Sequence, residues 1–176
     1  MSSSHSADTN EKKCTVIPSP DYKAIGGSRS LSKTLNKGEY FELKVRAESK
    51  WNASGILLDS NGKYDFQVVD TITPLKDASI PATPEGWIMD SEEVKSFDVF
   101  MKLFFAAAKF FRRAPNSEWF YLMGAVKGAE YKQFPIGSGI SGQKVVDGEF
   151  CAFVNDLSSK YGNNTGSLLL KVTRTE

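Results

Sequence analysis

Apolar and polar positions follow two different rhythms along this chain, and the change from one to the other lays out the fold. Residues 39–47 alternate with a period of two, residues 54–59 form a brief apolar run, and residues 63–69 alternate again, which predicts three β-strands. Asn61-Gly62 lies between the second and third and supplies the positive φ angles of a tight turn, so those two strands are expected to pair as a hairpin. Residues 70–85, rich in Thr, Pro, Lys, Asp, Ala and Ser, read as a long loop, with a strand end at 87–89. The rhythm then lengthens. Phe97, Phe100, Met101, Phe104, Ala108 and Phe111 recur at steps of three and four after an Asp90/Glu93 capping pair and stop at Ala114-Pro115. This predicts one amphipathic helix over about 90–114, its Phe face on a sheet and Lys95, Asp98, Lys102, Lys109, Arg112 and Arg113 in solvent. Leu103, Phe105 and Phe110 widen the apolar arc enough for part of it to serve as a partner surface.

Period-two segments return at 118–126, 131–136, 148–154 and 167–173, separated by Gly- and Asn-rich turns. Seven or eight short strands with one helix inserted indicate an all-β antiparallel sandwich of the jelly-roll kind. Residues 1–37 lack sustained periodicity and are expected to be a flexible polar leader, with a short strand near 15–17. The domain proper is then 38–176.

Composition narrows the chemistry. With 22 basic and 21 acidic residues among 176, the chain has no electrostatic reason to seek nucleic acid. Its single histidine, His5, sits in the leader, which excludes His-based triads and His-ligated metal sites from the folded part. Cys14 and Cys151 have no CxxC spacing, so reduced thiols are expected. No apolar h-region or membrane-span run occurs, pointing to a cytoplasmic protein, with non-classical export as the other route.

Two motifs are coincidental. Residues 137–142 satisfy GxGxxG but precede a strand instead of a helix, so they read as a loop without a nucleotide. Ser30–Lys33 and Ser60–Lys63 satisfy SxxK in a leader and a turn, where no buried lysine is expected.

The informative segment is 155–167, which joins two apolar strands yet gathers Asn155, Asp156, Asn163 and Asn164 around Gly162 and Gly166. Calcium takes 6–8 oxygens, and a carboxylate, amide carbonyls and turned main-chain carbonyls supply that chemistry if the loop doubles back. The same composition also suits an Asx-rich turn that caps its own backbone.

The spacing Asn155-Asp156, then Tyr161-Gly162-Asn163-Asn164-Thr165-Gly166-Ser167, resembles the C-terminal signature of the PA-IL-type bacterial galactophilic lectins and the galactose-binding-like jelly rolls related to them. Residues 54–66, 120–126 and 134–139 resemble the family's strands more weakly. The resemblance implies a calcium ion held by side-chain oxygens of Asp156, Asn163 and Asn164 and by the main-chain carbonyl at Lys160, with a further carbonyl from 73–77. It also implies a neutral, galactose-like sugar whose vicinal hydroxyls complete the shell near Asp156 and Asn163. The family's sugar-selecting loop carries a histidine with neighbouring Pro and Gln. Here that region holds the helix, and no histidine follows position 5.

The function expected is therefore a calcium-dependent carbohydrate-binding module without catalytic activity, with Trp51 or Trp87 as a sugar-stacking ring or a core residue, and homo-oligomerisation possible. The alternative is a protein-interaction or scaffold domain of the same fold that has lost sugar binding, with the Phe-rich helix as its contact surface. An enzyme using paired carboxylates such as Asp70 and Glu149 is the third reading.

Overall fold

The computed structural model describes residues 33–176, with residues 130 and 131 described by their backbone alone. The expectations for His5, Cys14 and a strand near 15–17 fall outside that range. Eleven strands form two sheets: β1 (Lys33–Thr34), β2 (Tyr40–Arg46), β3 (Asn52–Leu58), β4 (Lys63–Asp77), β5 (Ile80–Thr83), β6 (Gly86–Trp87), β7 (Leu122–Val126), β8 (Ala129–Pro135), β9 (Gly139–Lys144), β10 (Gly148–Val154) and β11 (Asn164–Arg174). One sheet runs β1-β3-β10-β7-β8; the other runs β2-β11-β4-β5-β6, with β9 also paired to β4. The all-β sandwich expected from the period-two segments is the fold observed.

Inward positions of the alternating strands meet between the sheets. Phe41, Leu43 and Val45 of β2, Tyr64 and Phe66 of β4, and Leu168, Leu170 and Val172 of β11 face Ile56, Leu58, Leu122, Phe150, Ala152 and Val154. At β10 the alternation fails because both faces are covered: Phe153 belongs to a second cluster with Met123, Ala125 and Ala114 on the sheet's outer side. The chain leaving the helical insertion therefore crosses that face.

Several local expectations are corrected. Asn61-Gly62 does form a turn, closed by Gly62 N–H to the Asp59 carbonyl at 2.9 Å. The strands it joins, however, belong to different sheets, so it is a crossover and not a hairpin. Residues 70–85 are mostly strand: β4 continues to Asp77 and turns back into β5. Its middle is exposed and mixes polar with apolar residues, Val69 and Ile72 among them, and Leu75 and Asp77 turn inward again. The GxGxxG stretch runs into β9, which pairs with β4 from Lys63↔Lys144 to Gln67↔Gly139. The sheet also begins before Gly38, since Lys33–Thr34 pairs in parallel with Ile56–Leu57 and Leu35 is core.

The single helix becomes two: α1 (Glu92–Lys95) and α2 (Val99–Ala108), followed by a 3-10 turn at Lys109–Phe111. Ser91 caps α1 by accepting from Val94 N–H, and Asp98 caps α2 by accepting from Met101 N–H at 2.7 Å, so the Asp90/Glu93 box is not used. Restarting at Asp98 changes the buried face. Val94, Phe97, Phe105 and Ala108 pack inward, while Phe100, Phe104 and Phe111 are exposed.

Candidate functional site

The end of β10 and the start of β11 are tied into a doubled-back loop. Tyr161 is buried, donates its hydroxyl to the Val154 carbonyl at 2.5 Å and accepts from Arg113 Nη1 at 3.0 Å. Burial pushes its phenol up to about 12, so it remains a neutral donor. A 3-10 turn at Tyr161–Asn163 follows, closed by Asn163 N–H to the Lys160 carbonyl at 3.1 Å. Gly166 then lets β11 lie against β4: its φ is +102°, and a Cβ there would stand 2.3 Å from the Pro74 carbonyl oxygen.

Antiparallel pairing of β11 with β4 sets Asn164 opposite Asp77, which brings a second carboxylate to the loop. Asp156 is 2% exposed; its Oδ1 accepts from Leu157 N–H at 2.6 Å and its Oδ2 from Asn164 Nδ2 at 3.0 Å. Asp77, 7% exposed, accepts from Asn163 Nδ2 at 2.9 Å and from Trp87 Nε1 at 3.2 Å. Asn164 is 3% exposed, and its Oδ1 is a buried acceptor with no hydrogen-bond partner.

Two buried carboxylates side by side, without a salt bridge among the described residues, are costly. Burial, and then the charge of Asp156, raise the Asp77 carboxyl to about 6, above its ordinary 3.8. Burial also raises Asp156, offset in part by the Asn164 and Leu157 hydrogen bonds and by the charge of Lys160. Two buried carboxylates without a counter-ion, on a loop that also holds an unpartnered amide oxygen, are an environment a hard cation satisfies. The donors are all oxygen, and no third His, Cys, Asp or Glu completes a metal cluster among the described residues. That chemistry suits calcium and not zinc.

Asp156, Asn163 and Asn164, chosen from spacing, thus lie together, and the Lys160 carbonyl closes the same loop. Lys160 and Asn163 are exposed while Asp156 and Asn164 are buried. Asn155 has a different task. Fully buried, it accepts from Ala114 N–H and donates to the carbonyls of Ala114, Ser117 and Glu118, which fixes the chain leaving the insertion.

The resemblance directs attention to 73–77 for a main-chain carbonyl but does not name the Asp77 carboxylate, because that stretch reads as a loop and its partner Asn163 is 86 positions away. Trp87 is a core residue: it stacks on Trp119 at 5.1 Å and 10°, meets Phe105 edge-on at 4.9 Å, and spends its indole N–H on Asp77. It has no face for a sugar. Trp51 is 39% exposed, with the Arg113 guanidinium 3.9 Å above its ring and Phe153 edge-on. Asp70 and Glu149 stand on different sheets, Asp70 opposite Leu169 and Glu149 opposite Leu57, so they form no acid/base pair.

Two facing sheets, with an Asp/Asn loop linking β10 to β11, make a β-sandwich. The solved EclA N-terminal domain, described as a PllA-like lectin, shares this fold with a TM-score of 0.51 and 16% identity, covering 76% of this chain and 94% of that chain. No protein-family model and no curated protein matches the sequence.

Proposed function

We propose that this protein is a calcium-dependent carbohydrate-binding module without catalytic activity. The observation that carries the reading is the clustering of two buried carboxylates without a counter-ion, Asp77 and Asp156, with the Asn163 and Asn164 side chains, the latter keeping a buried Oδ1 that has no hydrogen-bond partner. Asp77, Asp156, Asn164, Asn163 and the Lys160 main-chain carbonyl would hold the ion. Half a turn of the Asn163 amide exchanges the donor it now offers Asp77 for an acceptor. A bound calcium ion neutralises the carboxylate pair and binds hydroxyl oxygens of a neutral sugar.

The buried-to-exposed gradient sets the direction of recognition. Asp77, Asp156 and Asn164 enclose one side, whereas Asn163 and Lys160 border solvent, so incoming vicinal hydroxyls approach over Asn163. By the resemblance to PA-IL-type lectins, the galactose-selecting region would correspond to the segment that holds α1 and α2, and no histidine follows position 5. We therefore assign a neutral sugar with vicinal hydroxyls and leave the galactose preference to measurement.

Calorimetric titration of calcium into the wild type, followed by a glycan array with and without EDTA, tests this. Binding of calcium, lost in Asp156→Ala, together with array signals that EDTA abolishes and Asn163→Ala weakens, is the expected result. Equal melting temperatures in saturating calcium and in EDTA would remove the metal reading. Calcium binding with a blank array would leave the scaffold reading instead.

A further inference from the structure

The helical insertion exposes more apolar surface than the sandwich uses. Phe97 and Phe105 complete the aromatic contact with Trp87, and Ala108 is buried. On the opposite side Val99, Phe100, Leu103, Phe104, Phe110 and Phe111 stand in solvent, with Phe100 76% and Phe111 77% exposed. Phe100, Leu103, Phe104 and Phe111 fall at helical spacings on one side, so these are a contiguous face and not scattered residues. Phe104 and Phe111 also line a groove of about 450 Å³ with Leu157, against the loop of the proposed site. Exposed apolar faces of this kind mark binding to another surface.

Charge distinguishes the occupants. Residues 99–113 contain Lys102, Lys109, Arg112 and Arg113 and no carboxylate, in a chain whose overall balance is near zero. Arg112 is buried over Trp119 and Arg113 lies over Trp51 and Phe153, which leaves the two lysines beside the apolar face. Lys109 Nζ sits 5.2 Å from the centre of the Phe110 ring, so cation and apolar surface are presented together. Two copies meeting through this face would bring lysines toward lysines. An anionic bilayer takes both elements, with rings below the headgroups and ammonium groups among the phosphates.

We propose that α2 and the 3-10 turn after it form a membrane-surface docking element, in which Phe100, Leu103, Phe104 and Phe111 enter the interface of an anionic lipid bilayer and Lys102 and Lys109 contact its phosphates. This is docking and not crossing, since no helix among the described residues is long and apolar enough to span a membrane.

Flotation of the full chain with glycan-free vesicles in EDTA separates this proposal from the proposed calcium and sugar site. Wild type should float with phosphatidylcholine/phosphatidylserine vesicles at about 3:1 and much less with phosphatidylcholine alone. The triple variant Phe100→Ser/Leu103→Ser/Phe111→Ser should lose at least ~10-fold in vesicle affinity. Lys102→Glu/Lys109→Glu keeps every apolar group and should lose the preference for phosphatidylserine, which keeps the proposal testable if the serine variant fails to fold. Wild type that does not float, or variants that float as it does, would overturn the proposal. A wild-type dimer that the serine variant converts to monomer, with no flotation, would overturn it in favour of a second copy.

Discussion

Replacing Asp77 with asparagine should move stability in opposite directions with and without calcium. In the metal-free protein the native carboxyl titrates at about 6 and the unfolded one at 3.8. Below 3.8 both states carry the proton. Between 3.8 and about 6 the unfolded chain has released it while the native state holds it, so stability falls as pH rises and levels off above 6. At ~1.36 kcal/mol per pH unit, this interval corresponds to about 3 kcal/mol lost by pH 7.5. The uncharged amide of the Asp77→Asn variant escapes that loss. It can still accept from Asn163, but an N–H now faces the Trp87 indole N–H, costing about 1–2 kcal/mol. The expected net is a gain of about 1–2 kcal/mol in EDTA at pH 7.5, which reverses to a loss of about 1 kcal/mol toward pH 4, where the wild-type carboxyl keeps its proton in both states and only the Trp87 mismatch remains.

In calcium the order should invert, because the wild-type carboxylate is now neutralised by the ion and the variant has lost a ligand. Urea unfolding followed by tryptophan fluorescence, at pH 4, 6 and 7.5 in EDTA and in calcium, reads all of these differences. A variant less stable than wild type in EDTA at pH 7.5, yet stabilised equally by calcium, would show that Asp77 is neither strained in the metal-free protein nor a ligand.

Two further substitutions probe the architecture around the loop. Asn155→Ala removes one buried acceptor and the donor to three main-chain carbonyls at 114–118, and should cost about 3–5 kcal/mol in chemical denaturation; a loss under 1 kcal/mol would mean that water replaces the amide. Gly166→Ala drives a Cβ against the Pro74 carbonyl at a φ of +102° and should destabilise by at least ~3 kcal/mol while lowering calcium affinity through the shift of Asn164; unchanged melting and calcium binding would contradict that geometry.

The strands legible in the sequence are those with at least one buried face. β2, with its strict alternation of half-buried and buried positions, and the inward Leu168, Leu170 and Val172 of β11 follow the period-two rule directly. Where neither face is buried the rule has nothing to detect, which is why the middle of β4 reads as loop and β9 as a glycine motif. Pairing is harder still. Asn-Gly specifies a turn but not whether the strands it joins share a sheet, and here the crossover is set by the sandwich. The helix misleads for a related reason: α2 is apolar nearly all round, so its period cannot choose a buried face, and the choice falls to Phe105 against Trp87 and Trp119. In the candidate site, Asp156, Asn163 and Asn164 stand close together in the chain and are accessible to spacing arguments. Asp77 is not, because only the register of β11 on β4 places it there.

The same contacts tie the insertion to the loop it borders. Trp87 bonds Asp77 while its ring is held by Phe105 of α2 and by Trp119, just beyond the insertion. Arg113 donates its main-chain N–H to the Asp156 carbonyl at 3.2 Å and its side chain to the Tyr161 hydroxyl, and its neighbour Arg112 bridges to Leu157. Both carboxylates therefore depend on residues packed by, or within, the inserted segment. Cutting out α1 and α2 would uncover Trp87 and loosen Asp77 on one side and the Asp156–Leu157 turn on the other. On the apolar exterior of α2, Phe104 meets Phe105 edge-on and borders the groove with Leu157, whereas Phe100 and Leu103 stand clear of these contacts and can be exchanged with the least disturbance of the loop beneath.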